Sequence, residues 1–299
     1  SKRLDKWVFD SMTPTGFETL CLMLNPSGQY IQQVQVRVLC LPAELCSTLA
    51  FKQMASLLDS INKLRFLAKV SVSGQTQYLQ IPLVKGYSRS HLLHMSGQAE
   101  SGRMPASSAF AVCMLALENF GVSDLNLSRN EFREVGAKAA TRLLMSNDRL
   151  QRVDLHDCKL GALGLAEVSK GIISAAAGTL SSVALAFNLF DDEASRAAAP
   201  ELTTALSALL ASSVCPGILN LSCNALGKVL GDDGFATLAK SLEARSATIV
   251  DLNLSVNEIS DVAGEALGQH VSKNGTLTSL NVSTNKLGLR SSTAFARAS

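Results

Sequence analysis

One spacing of apolar residues returns six times in the second part of this 299-residue chain. Val122, Leu125 and Leu127 are followed by Asn130 and Phe132, and the same frame returns at Leu150, Val153, Leu155, Cys158 and Leu160. It returns again at Leu180, Val183, Leu185 and Asn188, and at Leu219, Leu221, Asn224 and Leu226. The last two copies are Ile249, Leu252, Leu254, Asn257 and Ile259, then Leu277, Leu280, Val282, Asn285 and Leu287. Such a unit constrains the fold strongly, because it buries no face alone and must stack on its neighbours. The apolar pair two residues apart places both side chains on one face of a short strand. The Asn three residues later is expected to turn inward and satisfy backbone groups that the turn leaves open. Cys158 fills that place in the second copy, so its expected role is structural. The second half of each unit has helical spacing, as in Gly136, Ala140 and Leu144, or Gly234, Leu238 and Leu242, or Gly264 and Leu267. Each unit therefore reads strand, turn, helix.

Residues 1–110 carry a degenerate form of the frame. Gly16 opens a helix signature that nearly repeats the one at Gly234. Leu4, Trp7, Phe9 and Met12 fit a strand and turn before it; Ile31, Val34, Val36 and Leu39 fit a second copy. Leu67, Val70, Val72 and Gln75 fit a third, and Leu93, Met95 and Gln98 a fourth. Tyr78 opens a stretch that reads as an added strand. The expectation is degenerate repeats over 1–110 continuing into regular ones over 111–299; a separate α+β unit over 1–110 is the alternative. No polar capping unit is recognised after Leu287, which suggests a fragment of a longer protein.

The frame resembles the leucine-rich repeat pattern LxxLxLxxN/CxL, firmly over residues 120–287 and loosely over 1–110. The unit is similar to the ribonuclease-inhibitor-like subclass. The resemblance implies an α/β leucine-rich-repeat solenoid, with a curved parallel sheet on the concave side and helices on the convex side. It also implies a non-catalytic module or scaffold that binds proteins. Two alternatives stand beside that function: a GTPase-activating protein of Ran type, with Arg129 and Arg133 flanking the turn Asn130, and a purely structural component of a large complex.

Composition narrows the partners. Lys and Arg total 27 against 25 Asp and Glu, a net charge of +2, which gives no general attraction to nucleic acid. The low-charge runs 172–190 and 202–227 are diluted by polar residues, and Pro216-Gly217 breaks the second, so membrane insertion is not expected. The seven cysteines, Cys21, Cys40, Cys46, Cys113, Cys158, Cys215 and Cys223, form no CxxC pair. An odd, scattered set reads as reduced thiols in a cytoplasmic protein. The acceptor sequons at Asn126, Asn220, Asn253, Asn274 and Asn281 agree, because four of them fall in strands.

No motif for a catalytic nucleophile, a phosphate loop or a zinc protease occurs, so neither enzymatic activity nor a cofactor is expected. His91 and His94 lack acidic or Cys neighbours and read as a surface or turn pair rather than metal ligands. The acidic runs Asp191-Asp192-Glu193 and Asp232-Asp233 read as helix N-terminal charge, not calcium ligands. Two insertions, over 194–213 and at Lys228–Gly234, fit neutral loop growth.

The residues between the leucines point outward from the strands. In the later copies they are mostly Asn, Ser and Thr. In the first copies they are charged, with Phe187 alongside. Binding energy concentrates on Arg and aromatic residues. The expected partner site is therefore Arg129, Arg152, Asp154, His156, Asp157 and Phe187.

Overall fold

The computed structural model describes residues 2–8, 34–41, 69–73, 78–82, 92–94, 96–97, 103, 122–175, 178–244 and 247–298. A four-stranded sheet holds β1 (Lys2–Val8), β2 (Val34–Leu41), β3 (Lys69–Ser73) and β4 (Tyr78–Pro82) in that order. The first three are parallel and β4 is antiparallel to β3. The turn positions Met12, Gln75 and Gln98, the helix signature at Gly16, and His91 lie outside the described residues.

A second, seven-stranded sheet is parallel throughout and runs in chain order. Its strands are β5 (Leu92–His94), β6 (Asp124–Asn126), β7 (Arg152–Asp154), β8 (Ser182–Ala184), β9 (Ile218–Asn220), β10 (Asp251–Asn253) and β11 (Ser279–Asn281). The register aligns Leu93, Leu125, Val153, Val183, Leu219, Leu252 and Leu280 in one row. The second apolar residue of the pair is as deeply held: Leu127, Leu155, Leu185 and Leu221 have no exposure at all. Burial of this kind contributes roughly 1.5–3 kcal/mol per side chain.

Helices connect the strands: α1 (Arg133–Ser146), α2 (Gly161–Ile173), α3 (Glu193–Ala197), α4 (Ala199–Leu210), α5 (Leu226–Ser241), α6 (Asp261–Val271) and α7 (Leu289–Ala298). A parallel strand pair needs such a crossover. The insertion over 194–213 forms α3 and α4, broken at Ala198. Asp192 caps α3 by accepting the Ser195 N–H at 2.7 Å, as its acidic run implied. Asp232-Asp233 directly follow the break in α5 at Gly231, whose φ of 66° and ψ of 179° are non-helical. Neighbouring helices touch through small residues. A Cβ on Gly171 would lie 2.9 Å from Thr141 Cα, and one on Gly268 2.8 Å from Ala294 Cβ.

An asparagine ladder ties the turns together. The Asn188 carboxamide oxygen accepts the Cys158 N–H at 2.8 Å, and the Asn224 oxygen accepts the N–H groups of Asn188 and Leu189 at 2.7 and 2.9 Å. Asn257 does the same for Asn224 and Leu226, and Asn285 for Asn257 and Ile259. The carboxamide nitrogens donate back to leucine carbonyls: Leu185 O receives both Asn188 and Asn224, and Leu221 O both Asn224 and Asn257. Cys158 supplies only the donor half. Its thiol reaches Leu127 O at 3.2 Å beside the Asn130 nitrogen at 2.8 Å, while Phe132 and Arg133 donate to its backbone carbonyl instead. Burial pushes the thiol up to about 12, so it stays protonated and able to donate.

Candidate functional site

The sheet face is built from four rows of side chains, one from each coil. The first row holds Asp124, Arg152, Ser182, Ile218, Asp251 and Ser279; the second holds Asn126, Asp154, Ala184, Asn220, Asn253 and Asn281. In the second row the side chains fold onto their own turns. Asn126, Asn220, Asn253 and Asn281 each accept the N–H two residues on at 3.0 Å, and Asp154 accepts that of His156 at 2.9 Å. These residues are therefore turn-forming as well as outward-facing.

The third row departs from the outward reading. Ser128, Ala186, Ser222 and Ser255 are buried, and so is Asp124 of the first row. At these four third-row positions the chain turns inward before a left-handed residue, while His156 and Ser283 of the same row stay partly or fully exposed. Arg129, Asp157, Phe187, Cys223, Val256 and Thr284 all have φ between 52° and 58°. They form a fourth row, joined by backbone bonds such as Arg129 N–H to His156 O at 2.7 Å and Phe187 N–H to Ser222 O at 3.2 Å. A side chain at positive φ costs roughly 1–2 kcal/mol, most for a β-branched residue, while Asn tolerates it. Val256 is 43% exposed, so little burial is lost with it. Val256→Asn is expected to raise stability by about 1 kcal/mol in urea denaturation; an equal loss would show that the turn carries no strain.

All six residues named from the sequence fall on three adjacent coils. Arg152 pairs with Asp124, its neighbour in register. Asp157 accepts from both terminal nitrogens of the Arg103 guanidinium, Nη1 at 3.2 Å and Nη2 at 2.7 Å. The His156 ring meets Phe187 edge-on, centroids 5.1 Å apart at 70°, and Phe187 is 46% exposed. Arg129 is exposed at the turn. Below it Glu131 accepts Lys159 at 2.5 Å and lies 3.5 Å from Arg133. The Lys159 hydrogen bond, against a smaller burial effect, holds the Glu131 carboxyl below its usual range.

Four participants lie outside the partner site expected from the sequence: Arg103, Asp124, Glu131 and Lys159. Asp124 with Arg152, and Glu131 with Lys159, occupy the same frame position in consecutive copies, so opposite charge at one position was the available signal. Arg103 lies 54 residues from Asp157, outside any frame. Among the described residues no group of three or more His, Cys, Asp or Glu could hold a metal ion. No described helix is long and apolar enough to cross a membrane.

The repeated strand–turn–helix coils and their asparagine ladder make the fold an α/β leucine-rich-repeat solenoid. Residues 245–268, which hold β10 and its turn, match the family model described as Leucine Rich repeat. Among solved structures the chain is similar to leiomodin-1 actin-binding site 2, at 9% identity and a TM-score of 0.34, over 64% of this chain and 88% of that one. No curated protein matches the chain.

Proposed function

We propose that the chain is a non-catalytic protein-interaction module or scaffold that recognises its partner on the sheet face around Arg129, Arg152, Asp154, His156, Asp157 and Phe187. One observation carries this reading. Phe187 is held half-exposed by a left-handed turn and an aromatic contact, near the ion pairs Arg152–Asp124 and Arg103–Asp157. A rigid aromatic anchor in such a setting is the usual centre of a binding site. The unit, with a helix after each strand, supports the ribonuclease-inhibitor-like subclass. The free thiols Cys158, Cys215 and Cys223 support a reducing, cytoplasmic setting.

The test is affinity capture of partners by the full chain, with Phe187→Ala and Arg152→Ala alongside. Phe187→Ala is expected to lower capture of the specific partner at least about tenfold, with an unchanged melting temperature. Undiminished capture by both variants would move recognition off this face.

Two further readings each have one supporting observation. Arg133 is 67% exposed and Arg129 is exposed at the same turn, as a Ran-type GTPase activator would need; added GTPase turnover on a panel of small GTPases would establish it. Leu277, Leu280, Val282 and Leu287 are only partly buried, an apolar edge that fits a neighbouring subunit in a larger complex.

A further inference from the structure

Between the coil of Arg152–Asp157 and the strand of Asp251, the first three rows of the sheet face hold no charge. Their residues are Ser182, Ala184 and Ala186 on one coil and Ile218, Asn220 and Ser222 on the next. The alanines keep the floor low. Phe187 and Ile218, 46% and 49% exposed, rise beside it. The result is a shallow trough across β8 and β9 with apolar walls.

Carboxylates stand at both ends. Asp154 neighbours Ala184 in register, and Asp251 neighbours Ile218. Among the described residues neither has a cationic partner: Asp154 accepts only the backbone N–H of His156, and the Asp251 carboxylate accepts nothing. Two of the nearby cations are held elsewhere, Arg152 by Asp124 and Arg103 by Asp157. The trough thus has a carboxylate without an ion pair at each end, among the described residues.

Resting on the interaction-module reading, we propose that the trough receives an extended, basic segment of a partner protein, with two cationic side chains about four residues apart and an apolar one between them. The spans agree. Asp154 and Asp251 lie three strand spacings and one row apart, about 16 Å, and four residues of extended chain cover about 13 Å, a difference that the length of two cationic side chains takes up. The apolar side chain settles on Ala184 against Ile218. The cation at Asp154 also lies on the side of the exposed Phe187 ring, where a guanidinium gains from the aromatic face. An acidic segment would meet repulsion at both ends.

The probe is a fluorescein-labelled Gly/Ser peptide with two arginines four residues apart and a leucine midway, titrated onto the full chain. Its control carries glutamates in place of the arginines. The conservative variants Asp154→Asn and Asp251→Asn are combined in a second protein. Asn at 154 keeps the turn acceptor, as Asn126, Asn220 and Asn253 do in their own coils. The proposal expects binding of the arginine peptide alone, weakened at least tenfold in the double variant and by added salt. Equal binding to wild type and double variant overturns it, as does equal binding of the glutamate peptide or no binding at millimolar peptide. Phe187-dependent partner capture that persists alongside such a result leaves the module standing and removes only its partner chemistry. Peptide binding without Phe187-dependent capture removes the module instead.

Discussion

Asn224→Ala is expected to lower the stability of the chain by about 3–5 kcal/mol, read as a shift of the urea denaturation curve. The figure follows from counting the groups left without partners. The Asn224 carboxamide, fully buried, serves four backbone groups. The two carbonyls, Leu185 O and Leu221 O, keep a second donor in Asn188 and Asn257. The N–H groups of Asn188 and Leu189 keep none. A buried, unsatisfied donor costs about 1–3 kcal/mol, and the lost packing adds to it. Asn285→Ala is the internal comparison. Its carboxamide is only partly buried, so water can replace it and the loss is expected to be about 1 kcal/mol or less. Similar losses at the two positions would show that the ladder stabilises through packing alone.

This ladder also marks how far the sequence could be read. Periodicity places every strand of the regular coils, and the inward Asn follows from the need to satisfy a buried turn. That Cys158 keeps the donor half of the ladder role and loses the acceptor half is not legible, because it depends on where two preceding N–H groups turn. The recurring glycines were visible in the sequence without a reason. A Cβ on Gly136 would stand 2.7 Å from Phe132 Cβ, and one on Gly164 3.1 Å from Leu160 Cβ. They leave room for the apolar residue four positions earlier to close over the helix. In the candidate site, alternation placed Arg152, Asp154 and Phe187 on one face. It misplaced Ser128, Ala186, Ser222 and Ser255, where the chain turns inward before a left-handed residue. No local pattern reports that bend when Arg, Asp, Phe and Val occupy it rather than glycine.

The two phenylalanines Phe132 and Phe187 separate what holds the fold from what the fold displays. Phe132→Ala is expected to cost about 3–5 kcal/mol, the range for truncating a buried aromatic side chain. Phe132 has no exposure, and its ring lies against Gly136, so the surroundings are fixed on both sides and collapse into the cavity only in part. Leu160, Leu226 and Ile259 occupy the same frame position in other coils and are also buried. Phe132→Leu should therefore be tolerated within about 1.5 kcal/mol. Phe187 is different in kind. It is 46% exposed, and alanine in its place keeps the same strained turn, so Phe187→Ala should leave stability within about 0.5 kcal/mol. Denaturation of the three variants beside wild type checks the ordering. A large loss for Phe187→Ala would mean that its contact with His156 holds two coils together. That aromatic pair would then belong to the scaffold, and partner recognition would have to rest on Arg129, Asp154 and the trough beyond them.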